Sequence, residues 1–169
     1  MFKIFGSFII LFFLVGCGYR PSSTYTQKML GKKIFVDVKI SRKDPKNSVL
    51  IKDAVNEAVI TRLGGKISSK KDSNSRLYIS IGSVNFLPIL YDKDGYVVSY
   101  KTVVSLQINY EANSGISKKF STSGEYDFPI EADSIISDVK RFEAIKYASL
   151  DALNEFISRI SVDAMIKGK

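Results

Sequence analysis

The repeat of apolar residues switches between two and about 3.6 along this chain, and that switching restricts the fold more than any other feature. Ile34, Val36, Val38 and Ile40 alternate with Phe35, Asp37 and Lys39, which predicts a half-buried strand over 33–40. The stretch Arg42 to Lys46, with Asp44-Pro45, breaks it. From Asn47 or Ser48 the repeat turns helical: Ile51, Val55, Ala58, Val59 and Leu63 recur at steps of three and four, and Gly64-Gly65 supplies the stop. Residues 66–76 are polar and read as a loop. Leu77, Ile79 and Ile81 restore the alternation in a strand over 77–87, with a bulge expected at Gly82-Ser83. Pro88 to Asp94 reads as a connection that ends in the hairpin-turn pair Asp94-Gly95. A long strand over 96–111, a turn at Asn113-Ser114-Gly115 and a last strand over 118–128 follow.

A second helix is expected over 134–160, with Phe142, Ile145, Ser149, Ala152, Leu153, Phe156 and Ile160 on one face. Ala144, Ala148 and Ala152 would let it approach a neighbouring surface closely. Residues 162–169 are expected to fray. The order β-α-β-β-β-α predicts an α+β, two-layer sandwich in which a four-stranded mixed sheet is covered by two helices. The first strand returns to the sheet through a helix, so one parallel pairing with a right-handed connection is expected. Residues 33–169 are read as this single globular domain.

The N-terminus carries a different signal. Met1 to Lys3 is short and basic, Ile4 to Val15 is apolar apart from Gly6 and Ser7, and Leu14-Val15-Gly16-Cys17 follows. About twelve apolar residues fall short of the ~20 that a spanning helix needs and suit a signal peptide over 1–16. Cys17 is the sole cysteine. The Leu-Val-Gly-Cys string resembles a lipobox, in which the thiol receives diacylglycerol and the new amine is then acylated, with palmitate as a typical chain. An ordinary secretory signal with a chance cysteine is the competing reading. Several acyl chains hold a protein far more firmly than one. Residues 17–32, rich in Ser, Thr and Lys, are read as the lipidated N-terminus and tether.

Composition removes several functions. There is no histidine, and the one cysteine is assigned to lipid. Ser-His and Cys-His nucleophile pairs and the usual zinc sites are therefore excluded. Ser68 with Lys71, and Ser137 with Lys140, match S-x-x-K, but the companion elements of that motif are missing. Asp92-Lys93-Asp94-Gly95 resembles the start of a calcium loop without its later ligands, so a turn is expected. No catalytic residue, no metal and no cofactor beyond the covalent lipid is expected, and the chain is read as no enzyme. Twenty-five basic residues against 17 acidic ones give a formal +8, which attracts polyanions. Export argues against nucleic acid and leaves anionic lipid or phosphorylated glycolipid; a merely soluble basic surface is the plain alternative.

The chain also resembles a known family. Cys17-Gly18-Tyr19-Arg20, the strand over 34–40, the helix opening near Ser48, the long hairpin around Tyr91 to Tyr100 and the closing Ala-rich helix are similar to the LptE family. That resemblance implies a sheet of four strands with two helices. It implies an LptD-like outer-membrane β-barrel as partner, lipopolysaccharide as the molecule handled, and a place on the periplasmic face of the outer membrane. It further implies a plug role in the barrel rather than catalysis. Gly18 after the cysteine resembles lipoproteins sorted to the outer membrane. The competing class is a structural or adhesive cell-envelope lipoprotein.

For anionic groups of such a glycolipid the candidates are basic residues near strand ends. Lys93 and Lys101 sit on one hairpin and Lys118 and Lys119 beside the next, while Lys70, Lys71 and Arg76 form a second patch. Each also reads as an ordinary solvated charge. Leu90, Tyr91 and Tyr96 are expected either to meet the barrel wall or to pack beneath their own hairpin.

Overall fold

A computed structural model describes residues 29–39, 45–132 and 134–167. The signal peptide over 1–16, Cys17 and most of the tether lie outside these residues. The described elements are β1 (Lys33–Lys39), α1 (Pro45–Thr61), β2 (Lys66–Ile67), β3 (Ser75–Tyr91), β4 (Val97–Ala112), β5 (Ser117–Pro129) and α2 (Asp138–Lys167). The sheet order is β2-β1-β3-β4-β5. β1 runs parallel to β2 and β3, and the remaining pairs are antiparallel, so the sheet is mixed.

The expected α+β class and the cover by two helices hold, but among the described residues the sheet has five strands, not four. The extra one is β2, where Lys33 and Ile34 pair with Lys66 and Ile67. Two residues carry no readable period, so this strand was hidden in a polar stretch. The amide of Lys66 donates to the Lys32 carbonyl at 2.7 Å and that of Ser68 to the Ile34 carbonyl at 3.0 Å.

Pro45 opens α1, where its missing N–H costs nothing and its fixed φ suits the first turn. Ile51, Ala54, Val55, Ala58 and Val59 are all buried. Gly64, at φ 59°, ends the helix, and the Gly65 amide donates to the Val59 carbonyl at 2.9 Å, a six-to-one closure.

The bulge at Gly82 is present as a register shift between Ile81 and Ser83. β3 then differs from expectation by running through Pro88 to Tyr91 instead of ending at Leu87. The Ile130 amide donates to the Val98 carbonyl at 3.0 Å, so Val98 turns its peptide groups toward β5. By alternation Tyr100 does the same, and Pro88, its cross-strand partner, turns its nitrogen away from β4. A proline there removes no ladder hydrogen bond.

Both helices lie on one face. Ile34, Val38, Leu77, Ile79, Val104, Leu106, Ile108 and Tyr110 project from the sheet into a core closed by Ala148, Ala152, Phe156 and Ile160. Each large side chain buried there contributes roughly 1.5–3 kcal/mol. The alanines allow a close approach: a Cβ on Gly124 would overlap the Ala148 carbonyl oxygen and the Ala152 amide nitrogen. α2 begins at Asp138, later than expected, and continues to Lys167 where fraying was expected. Val162 and Ile166 are exposed, which is why the apolar repeat fades, yet Asp163 is held by an ion pair with Lys118.

Leu30, near the end of the stretch read as tether, is 1% exposed and belongs to the core. The Ser75 hydroxyl donates to its carbonyl at 2.7 Å, and the Tyr110 hydroxyl donates to the Met29 carbonyl at 2.8 Å. The described chain therefore enters the domain at the end where β3 begins. The β3–β4 turn lies at the opposite end.

Candidate functional site

Because α1 and α2 share one face, the other face of the sheet has no helix over it among the described residues. Strand register orders its side chains in rows. Phe35, Arg76, Glu111 and Ser117 form one row, and Asp37, Tyr78, Asn109 and Lys119 the next. Lys39, Ser80, Gln107 and Ser121 form a third, followed across the bulge by Ser83, Ser105 and Ser123. Adjacent strands are about 4.8 Å apart, so a row of four spans roughly 14 Å. Short hydroxyl and amide side chains dominate the middle; Arg76, Glu111, Asp37, Lys119 and Lys39 lie on one side of it, and Lys101, Glu125 and Asp127 on the other.

A concavity of about 750 Å³ opens over the second and third rows, lined by Asp37, Lys39, Tyr78, Gln107, Asn109 and Lys119 among others. Beside it the Phe35 and Tyr78 rings meet edge to face with centroids 6.2 Å apart. The Lys70 ammonium stands 5.6 Å from the Tyr78 ring centroid. Such a contact adds a modest attraction at an exposed position.

The seven basic candidates separate into groups. Lys119, Lys70 and Arg76 come together on this open face, although the sequence had divided them between two patches. Lys71 is exposed in the β2–β3 loop. Lys101 lies on β4 and is paired with Glu125 at 2.5 Å and Asp127 at 4.0 Å. The hydrogen bond to Glu125, then the charges of Asp127 and Glu125, raise its pKa above the ordinary value. Lys118 is paired with Asp163 of α2. Lys93 is exposed in the β3–β4 turn. Sequence reasoning missed Lys39, Tyr78 and Asn109. The alternation that placed Phe35, Asp37 and Lys39 on the polar face of the first strand was the available signal for Lys39.

At the turn, Asp92 accepts hydrogen bonds from the amides of Asp94 and Tyr96, both at 2.9 Å, and Gly95 takes φ 87°. One oxygen of that carboxylate is thus spent on closing the loop. Among the described residues no cluster of three His, Cys, Asp or Glu side chains is placed to hold a metal ion. Leu90, Tyr91 and Tyr96 are about half exposed, so they do not pack beneath their hairpin.

A family model described as LptE, lipopolysaccharide-assembly, matches residues 35–160. The chain belongs to the LptE family. Members of that family serve lipopolysaccharide assembly without enzymatic activity. The LptE-family fold is similar to a solved protein of Caulobacter crescentus CB15, at 12% identity over 85% of this chain and 98% of that one, with a TM-score of 0.54. A solved protein of Xanthomonas campestris is 9% identical over 81% of this chain and 87% of that one, with a TM-score of 0.51. Rare lipoprotein B of Shewanella oneidensis aligns at 12% identity over 80% and 95%, with a TM-score of 0.46. No curated protein matches this sequence.

Proposed function

We propose that this LptE-family chain is an outer-membrane lipoprotein, cut before Cys17 and acylated there, that acts on the periplasmic side as the plug-like partner of an LptD-type β-barrel. The observation that supports it most directly is the one-sided helical cover. Barrel interiors are polar. The open face offers such a lumen Ser80, Ser105, Gln107, Asn109 and Ser121, which exchange hydrogen bonds at little desolvation cost. Its basic end suits the phosphates and acidic sugars of lipopolysaccharide. Among the described residues no ion pair engages Lys39, Lys70 or Lys119.

The anchoring step is tested by labelling cells with an alkyne fatty acid: the wild-type chain should carry the label and Cys17→Ala should not. Purification of the tagged chain from detergent-solubilised membranes should bring down a large β-barrel protein. If none co-purifies, and if a depletion strain keeps normal surface lipopolysaccharide, the chain is a structural or adhesive envelope lipoprotein instead. For the glycolipid contact, Lys39→Glu with Lys119→Glu should weaken binding to purified lipopolysaccharide by about tenfold at low salt, since two exposed charges are each worth up to about 1 kcal/mol. Equal binding would remove the open face from the glycolipid path.

A further inference from the structure

β1 pairs with β3 as far as Lys39, opposite Ser80, so the first part of β3 has neighbours on both sides and, among the described residues, the rest has only β4. Among the described residues no strand or side chain bonds the outer edge of β3 from Ser83 to Tyr91. Exposed edges of this length are normally blunted by charge, especially lysine. Here no Lys, Arg, Asp or Glu occurs from Ile81 to Tyr91, in a chain that is 25% charged. The peptide groups that face outward follow from the register. Tyr100, Thr102 and Val104 share the parity of Val98 and turn toward β5. Their partners Pro88, Phe86 and Val84 therefore turn away from β4. Val84 and Phe86 each present an N–H and a C=O to the open side, and Pro88 presents a carbonyl and no donor.

Side-chain packing anchors this edge at Phe86. Phe86 lies under the Arg141 guanidinium, 4.8 Å from its ring centroid, and packs edge to face on Phe128 at 6.4 Å. Fixed peptide groups lose little freedom when a partner arrives.

We propose that the edge of β3 at Val84 and Phe86 accepts an uncharged extended segment of the barrel partner as an added strand, with Pro88 ending the register. This rests on the barrel reading above for the source of the segment. The neutral strip selects its chemistry: Val84, Phe86 and Leu87 offer an incoming side chain no charge, and the nearby cations are already engaged, Arg141 by the Phe86 ring and Lys101, opposite Leu87, by Glu125 and Asp127. Strand addition supplies backbone hydrogen bonds for affinity and alternate side-chain contacts for specificity.

The test is hydrogen exchange on the full lipoprotein, free and in complex with the co-purified barrel. Strand addition predicts that the Val84 and Phe86 amides exchange at least about tenfold more slowly in the complex, with Asn85 and Leu87 changing less. Asn85→Lys with Leu87→Lys, both on the exposed outer side, should leave thermal unfolding of the free chain unchanged and lower barrel recovery by about tenfold. Phe86→Pro, which removes one outward donor, should act in the same direction if the variant folds. A barrel that co-purifies while both amides exchange as in the free chain overturns the strand and leaves the barrel reading intact. If no barrel co-purifies, the barrel reading falls and takes the proposed occupant with it. Protection that appears in the free chain as its concentration rises, with a doubled mass, assigns the edge to a second copy and also overturns the proposal.

Discussion

β5 and the distal half of β3 both end the sheet, yet among the described residues only β5 has outward peptide groups bonded to side chains. The amides of Ser123 and Glu125 donate to Glu155 at 2.8 Å and to Asp151 at 3.0 Å. The Ser121 carbonyl accepts from Arg159 at 3.2 Å. Three α2 residues at steps of four thus close the strand that runs beneath them, and Arg159 is braced against Glu155 at 2.6 Å. On β3 there is no such closure among the described residues, and its own side chains from Ile81 to Tyr91 are uncharged. The chain seals one edge with three residues of one helix and leaves the other unbonded among the described residues. Bareness at β3 is therefore local, not a general looseness of the sheet.

The largest effect should come from lifting α2 off β5. Gly124→Val places carbon where the backbone of Ala148 and Ala152 already stands, and should cost about 3 kcal/mol or more in urea unfolding. Unfolding within experimental error of wild type would mean that α2 does not sit where the capping requires. Next is the cap itself. Asp151→Ala with Glu155→Ala should lose about 2 kcal/mol, at roughly 1 kcal/mol per hydrogen bond, and should make the free chain self-associate through β5. Light scattering that still reports a monomer would show that the carboxylates do not guard that edge.

Alkaline pH loosens the sealed side of the molecule more gently. Lys101 joins β4 to β5 and Lys146 joins α2 to α1 through Glu57 at 2.8 Å, and these contacts raise both lysine pKa values above 10.5. Lysines raised in this way stabilise the fold in full below their unfolded value and lose that contribution as pH climbs through the folded value. Burial raises the Tyr110 phenol above its ordinary 10.0, so the unfolded chain ionises first there too. All three shifts therefore lower the melting temperature as pH passes 10, and Tyr110→Phe should flatten that decline. The smallest expected effect is on the bare side: Asn85→Lys alone should change stability by no more than about 0.5 kcal/mol.

The two edges were not equally legible in the sequence. Asp151, Glu155 and Arg159 recur every four residues and read only as a solvated helix face, because nothing local says which strand passes beneath. Ala148 and Ala152 did announce close packing, and Gly124 supplied the matching surface. β1, β4 and β5 were visible through alternation, and the bulge at Gly82 through its interruption. Pro88 misled because proline marks a break only where a ladder needs its N–H, and at a sheet edge it does not. The open face was half legible: alternation placed Lys39 and Asp37 together, but their meeting with Tyr78, Asn109 and Lys119 depends on register across four strands. Lys101 and Lys118 stood out as basic residues, while their acidic partners were distant in sequence or on another strand.

The parallel pairing of β1 with β3 has a kinetic consequence. Ile34 must wait for Ser75, the register partner that lies beyond the whole of α1 and β2. β3, β4 and β5, by contrast, are joined by short turns and can zip as a meander from contacts close in sequence. The meander should therefore form the folding nucleus, with β1 docking late. Substitutions at Ile108 are expected to slow refolding, and those at Ile34 to speed unfolding instead. Until β1 arrives, the edge of β3 is bare along its full length, and the interval before docking is when a newly made chain is most exposed to wrong pairing.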